Sequence, residues 1–360
     1  MKKIAILALT ENGKNLAKKI SDSWQTQLAI FVPAKFADEI AKEFPETTFK
    51  ATIASFFSTY DALICIMATG IVVRSIAPVI EDKRQDPAII VLDEKGQYVI
   101  SLLSGHIGGG NQLAVEIAEK LEGTPVITTA TDVQGVTALD LMAQAIDGFY
   151  ADFHESTKLI NGLLAAQQKV GLFQRQELVE DLRGLTLLTE KQLLNLQEQE
   201  FTAIIIVSPY VETDLLQNIP LLTKVVHVIP KQFVLGIGAK KNIEFTTVKA
   251  EFLNFCQLQK IEPQAIKKIV SIDLKKQESG ICQLADWLTI PFETYSADAL
   301  ATVADKYPQS EFVKQTTGVG SVALAAADLA SQGGVISQRY ANQGVTLALA
   351  DLKISSEGIK

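Results

Sequence analysis

Cysteine, histidine and tryptophan are scarce in this chain, with three, three and two residues among 360. Each scarcity removes a class of protein. Cys65, Cys256 and Cys282 are odd in number and far apart, and each sits in an apolar or helical stretch. Such thiols fit reduced, buried side chains better than a disulfide framework or a zinc site, and they imply a reducing, cytoplasmic setting. An excess of positive charge is also missing, since Lys+Arg 33 against Asp+Glu 41 leaves a formal charge of −8. Without a basic field to release counterions, sequence-independent binding to nucleic acid or to an anionic membrane is disfavoured, and an anionic ligand must meet a local cluster of donors. Long apolar runs are absent too. The run Ile4–Leu9 ends at Thr10-Glu11-Asn12, too short for a signal peptide, and Ala62–Val73 is broken at Thr69-Gly70, well below spanning length. No metal-ligand spacing, Walker lysine, G-x-S-x-G elbow or paired catalytic cysteine and histidine occurs.

What is present is a globular composition, 48% hydrophobic and 21% charged, at a length that predicts two or three domains. Apolar strand-like runs alternate with helical patterns: strands at Ile4–Leu9, Leu28–Val32, Leu63–Ala68, Ala88–Leu92 and Val126–Thr129, helices at Gly13–Trp24 and Asn111–Leu121. That alternation predicts an α/β, multi-domain protein of mostly parallel sheets flanked by helices. The expected division is an N-terminal α/β domain over 1–144, a middle α/β domain over 145–230 carrying no recognisable chemistry, and a C-terminal α/β domain over 231–360 that starts past Pro230.

The densest chemistry lies at Leu102-Leu103-Ser104-Gly105-His106-Ile107-Gly108-Gly109-Gly110-Asn111, a glycine-rich turn between an apolar strand and an amphipathic helix. Its glycines allow close backbone approach, and the amides of Gly108 and Gly109 with the following helix start predict an anion cradle. By itself such a loop is equally a tight strand-to-helix connection. Arg74 and Lys83 before it, Thr69 and Gly70 after an earlier strand, and Thr128, Thr129 and Asp132 after a later one are all expected to meet it at one sheet edge, beyond the carboxyl ends of the strands. His106 is the histidine whose neighbours suit proton transfer, with Ser104 and Asp132 beside it as catalytic candidates. His227, in an apolar strand, and His154, at a helix start, read as structural or solvated. In the C-terminal part, Gly236-Ile237-Gly238-Ala239-Lys240-Lys241 lacks the third glycine of a dinucleotide fingerprint, which argues against nicotinamide or flavin. Gly318-Val319-Gly320-Ser321 before an alanine-rich helix is a second candidate nest, and Lys275 with Glu278 reads as an exposed ion pair worth about 0.3 kcal/mol.

Met67–Arg74, Asp82–Ala88, Ile100–Gly109 and Pro125–Asp132, followed in order by Gly236-Ile237-Gly238, Ser271–Glu278 and Gly318–Ala326, resemble the CbiG family of cobalamin-biosynthesis proteins over nearly the whole chain. The resemblance implies a cobalt-precorrin-5A hydrolase that opens the ring-A δ-lactone and releases the C20 unit as acetaldehyde. It also implies that cobalt arrives inside the tetrapyrrole substrate, that no separate cofactor or protein-bound metal is needed, and that neighbouring corrin-pathway enzymes or a second copy are candidate partners. For that reaction the residues themselves suggest His106, Ser104 and Asp132 as the catalytic set. The expected substrate contacts are Thr69, Gly70, Arg74, Lys83, Gly105, Gly108, Gly109, Asn111, Thr128 and Thr129, with Gly236, Gly238, Lys240, Gly318, Gly320 and Ser321 in the C-terminal half. There the chain departs from the family pattern at Ala239, Lys240-Lys241, Leu324 and Arg339, which places the catalytic expectation on the N-terminal loop. A non-catalytic corrinoid carrier and a nucleotide-dependent enzyme are the competing classes.

Overall fold

The computed structural model describes residues 3–24, 28–82 and 85–352. The chain divides after Leu141 into two compact units. Among the described residues, no helix is long and apolar enough to cross a membrane.

The first unit is built on one sheet of seven strands, β1 (Ile4–Ala8), β2 (Ala29–Val32), β3 (Ala41–Glu43), β4 (Ala62–Ile66), β5 (Ala88–Leu92), β6 (Tyr98–Leu103) and β7 (Thr124–Val126), in the order β3-β2-β1-β4-β5-β6-β7. Every residue of β4 and β5 is buried. Such continuous apolar runs are the signature of parallel strands covered by helices on both faces, and β1 to β5 are parallel. The connection from β5 to β6 is different. The link Asp93–Gln97 is too short for a crossover. It turns as a hairpin, with Gly96 at φ +69 and the Asp93 carboxylate accepting from the N–H groups of Lys95 at 2.8 Å and Tyr98 at 2.7 Å. Thus β6 runs antiparallel to β5, and β7 runs parallel to β6.

This reversal corrects the expected meeting of loops at one edge. The turn after β6 and the segment after β7 emerge where β4 and β5 begin, whereas Thr69 and Gly70 open the helix Thr69–Ile76 beyond the end of β4. A five-residue strand separates the two rims by about 17 Å.

The second unit carries two sheets. One is ordered β10-β9-β11-β12-β8, from β8 (Gly148–Phe149), β9 (Val170–Gln174), β10 (Leu185–Leu187), β11 (Ala203–Val207) and β12 (Lys224–Pro230); all are parallel except β8. The other is ordered β15-β14-β13-β17-β16, from β13 (Phe233–Ala239), β14 (Ile266–Ile272), β15 (Phe292–Tyr295), β16 (Tyr340–Asn342) and β17 (Val345–Asp351). Here β13, β14 and β15 are parallel, and β16 and β17 are antiparallel additions. The architecture is therefore α/β with three mostly parallel sheets. Cys65 and Cys256 lie in the cores, where burial pushes both thiols up to about 12. His227 on β12 is satisfied by the carbonyl of Ser208 at 2.9 Å, as a structural histidine should be.

Candidate active site

His106 rides on the loop between β6 and the helix Gly110–Leu121. The loop is shaped by two residues of positive φ, Ser104 at +54 and Gly109 at +75. It closes on its own amides: Gly109 N–H donates to the carbonyl of His106 at 2.8 Å, Gly110 to Ser104 at 3.1 Å, and Asn111 to Gly105 at 2.9 Å. A Cβ on Gly105 would stand 2.5 Å from Asn111 Oδ1, so only glycine lets the loop lie against that amide.

The imidazole is held from both sides. Its Nδ1 lies 3.5 Å from Asp140 Oδ2, and its Nε2 lies 3.0 Å from Asp132 Oδ2 and 3.1 Å from Thr131 Oγ1. Side-chain exposure rises along this line, from 3% at Asp140 through 12% at His106 to 36% at Asp132. Asn111 ties the outer carboxylate down, donating from Nδ2 to Asp132 Oδ2 at 2.8 Å and to Thr129 Oγ1 at 3.0 Å. The hydrogen bond with Asp140 is the largest reason the imidazole pKa stands above its ordinary 6.5; burial opposes the rise and Asp132 adds to it. A nitrogen anchored to a buried carboxylate and a second facing a solvent-accessible one make a ring of fixed orientation that can exchange a proton at Nε2.

Of the residues expected at this site, His106, Asp132, Asn111 and Thr129 come together, with Gly105 shaping the loop. Thr128 is exposed beside them. The other expected residues lie elsewhere or make other contacts. Ser104 Oγ is enclosed and has no hydrogen-bond partner among the described residues, so it is not coupled to the histidine. The Gly109 amide is committed to the His106 carbonyl rather than open to an anion. Gly108 is a packing glycine, since a Cβ there would come within 2.6 Å of the Ser104 carbonyl oxygen. Thr69, Gly70 and Arg74 lie at the opposite rim, and the Arg74 guanidinium folds back onto the Gly70 carbonyl at 2.9 Å. Lys83 falls outside the described residues.

In the second unit, Gly236 serves packing: a Cβ would sit 2.0 Å from the Ala323 carbonyl oxygen, so the helix Ala323–Ser331 can lie directly on β13. Gly318, at φ +83, ends the helix Glu311–Thr317, and the Gly320 carbonyl accepts from Ser310 N–H at 2.8 Å. Gly320 backs onto the Gln309 side chain and Ser321 is buried, so this is a packed turn rather than an open nest. Lys240 lays its stem over Gly344 and donates its N–H to the Gly344 carbonyl at 2.9 Å, while Gly238 is half-buried and uncrowded.

Sequence reasoning missed Asp140 and Thr131. A signal for Asp140 existed, because a lone carboxylate within the apolar run Val136–Ala143 must find a partner when buried. Beside the loop, Ile107 and Gly108 border a pocket of about 550 Å³ whose other walls include Tyr60, Asp61, Asp86 and Pro87. These residues precede β4 and β5, which places the pocket on the reversed rim.

Comparison with known proteins gives a consistent result. Residues 51–132 match the family model described as Cobalamin synthesis G N-terminal, and residues 233–350 match that described as Cobalamin synthesis G C-terminus. The chain is 40% identical over 353 residues to the cobalt-precorrin-5A hydrolase of Salmonella typhimurium, covering 96% of this chain and 97% of that protein. It is 28% identical over 358 residues to the cobalt-precorrin-5A hydrolase of Priestia megaterium, covering 96% and 94%. Among solved structures, a cobalamin biosynthesis protein G homolog from Sulfolobus solfataricus is 20% identical, with 97% of each chain covered and a TM-score of 0.39.

Proposed function

The chain belongs to the cobalamin synthesis G family, and from that premise we infer that it is a cobalt-precorrin-5A hydrolase whose proton-transfer centre is His106. Its substrate is a corrinoid intermediate, and cobalt enters as part of that substrate. The observation that carries the catalytic assignment is the line Asp140–His106–Asp132, graded from buried to solvent-accessible. A carrier that only held a corrinoid would not need an imidazole clamped between two carboxylates.

Hydrolysis of a δ-lactone requires a proton to leave the attacking water and another to reach the departing ring oxygen. Asp140 fixes Nδ1–H inward, so Nε2 is the nitrogen that trades protons. Thr131 Oγ1 can donate to the unprotonated Nε2, Asp132 Oδ2 accepts from Nε2–H once the ring is an imidazolium, and exchange of either contact for a water opens Nε2 to the reaction. The neutral imidazole takes the water proton as the new C–O bond forms, and the resulting imidazolium, stabilised by both carboxylates, returns it to the oxygen released when the lactone C–O bond breaks. The freed hydroxyl then gives up its proton and collapses to the carbonyl of acetaldehyde as the C–C bond to the ring breaks, and the electron pair of that bond passes to the macrocycle, which takes up a proton in exchange.

The test is an oxygen-free incubation with the cobalt-containing lactone, following acetaldehyde and product mass together. The wild-type chain should release acetaldehyde with matching loss of the two-carbon unit, and His106→Ala should slow this by about 10²–10⁴. Turnover by His106→Ala within about threefold of wild type, far short of that range, removes the histidine from the mechanism.

A further inference from the structure

At the carboxyl edge of β13 and β14, the segments leaving the two strands stand apart and enclose a cleft of about 1000 Å³. One wall is Lys241–Thr246, the other runs from Leu274 to Ser279, and Thr316 and Thr317 close a third side. This is the edge at which open α/β sheets take their ligands.

The walls are held in place from within. Glu278 is buried, contrary to its expected exposure, and accepts from the Ile243 N–H at 3.1 Å and from the Lys275 ammonium at 3.0 Å. The bonded carboxylate thus ties one wall to the other and pins Lys275 at the cleft with further N–H donors in hand. Gly280 lets the helix Ser279–Leu288 press against the first wall, since a Cβ there would stand 2.5 Å from the Ile243 carbonyl oxygen. Lys241 is exposed at the rim. Leu274, 67% exposed, and Phe245 add apolar surface.

The contrast with the pocket beside His106 is chemical. That pocket has about half the volume, and its lining includes Asp61 and Asp86 but no lysine or arginine among the described residues. A cobalt-precorrin is a flat macrocycle fringed with carboxylates. It needs space near the upper end of the usual 300–1,000 Å³ range for small-molecule sites, apolar surface for the ring, and ammonium and hydroxyl donors for its fringe. The cleft offers all of these, whereas the described lining of the pocket beside His106 includes no ammonium donor. We propose that the cleft between Lys241–Thr246 and Leu274–Ser279 is the corrinoid-binding site of this protein, with Lys241 and Lys275 meeting the peripheral carboxylates. The proposal rests on the hydrolase reading and moves substrate recognition in the C-terminal half away from Gly236, Lys240 and Gly318–Ser321.

The experiment titrates the full chain with cobyrinic acid, a cobalt corrinoid with free side-chain carboxylates, and in parallel with cobinamide, in which most are amidated. Lys241→Glu should weaken cobyrinic acid about tenfold and cobinamide by less than about twofold, as reversal of one solvent-exposed charge predicts. Thr316→Trp, which fills the cleft from its third side, should weaken both. Lys158→Glu makes the same charge change outside the cleft and should alter neither, and His106→Ala should bind cobyrinic acid within about threefold of wild type, as a residue acting in chemistry rather than recognition would. Unaltered cobyrinic acid binding by both Lys241→Glu and Thr316→Trp, in a chain that still releases acetaldehyde from the lactone, overturns the cleft and leaves the hydrolase standing. Absence of acetaldehyde from the wild-type chain overturns the hydrolase reading itself. Should Thr316→Trp fail to fold, Leu274→Asp at an exposed position asks the same question.

Discussion

The Nδ1 of His106 lies 3.5 Å from a carboxylate oxygen of Asp140, a residue 34 positions further along the chain whose side chain is 3% exposed. That pairing defines which nitrogen of the ring works. Asp140→Asn should keep the fold, lower turnover by about 10²–10⁴ and leave KM within a few fold, because the amide can present the wrong partner to Nδ1. Acetaldehyde release measures the rate, and an NMR titration of His106 in the variant should show its pKa falling toward the ordinary value. Unchanged kcat would reduce Asp140 to a structural anchor.

The same raised pKa sets two opposite pH dependences. Because the neutral imidazole is the base, turnover should rise with pH through a point above 6.5, and His106→Ala should flatten that limb. Stability moves the other way. A histidine raised in the folded state contributes stability that is complete below the unfolded value of about 6.5 and is lost as pH climbs through the folded value. Denaturant titrations of wild type and His106→Ala should therefore differ most in mild acid and converge on the alkaline side.

Gly105→Ala should damage activity more than stability. The added methyl would meet Asn111 Oδ1 at 2.5 Å, and Asn111 is the donor that holds Asp132 and Thr129. A displacement of this size at a reacting centre costs up to about 10²-fold. The rate should fall tenfold or more, about 1.4 kcal/mol per tenfold, while the melting temperature shifts by only a few degrees.

Gly236→Ala should do the reverse. Its Cβ would collide with backbone, the Ala323 carbonyl oxygen at 2.0 Å, so the helix Ala323–Ser331 must lift from β13. Overpacking of this kind costs about 1–3 kcal/mol. Urea denaturation should register that loss; a change confined to KM would instead restore Gly236 to the ligand.

Much of this molecule is legible in the sequence, and the reasons for the exceptions are local. Parallel strands announced themselves through unbroken apolar runs such as Ala88–Leu92, and the loop around His106 through glycine density. The reversal at β6 is signalled only by a connection length: Asp93–Gln97, with its Asp and Gly turn residues, can close a hairpin but cannot carry a crossover. Missing that one turn misplaced Thr69, Gly70 and Arg74 by the height of a sheet. Asp140 escaped because its partner is set by tertiary approach rather than spacing. Glycines misled in a consistent way: Gly108, Gly236 and Gly320 look like ligand cradles in sequence and are sites of close packing in space.

The buried thiols make the remaining cysteine a ready-made handle. With pKa values near 12, Cys65 and Cys256 hold a thiolate fraction of about 10⁻⁴ at pH 8 and have no path to bulky reagents. Cys282 is partly exposed, with its thiol 3.6 Å from the Lys276 carbonyl oxygen, and its neighbour Gln283 lines the large cleft. A maleimide fluorophore added to the folded wild-type chain would therefore label one position, at the margin of that cleft. Quenching of the dye by a cobalt corrinoid would then report occupancy in real time, with no residue of the natural sequence replaced.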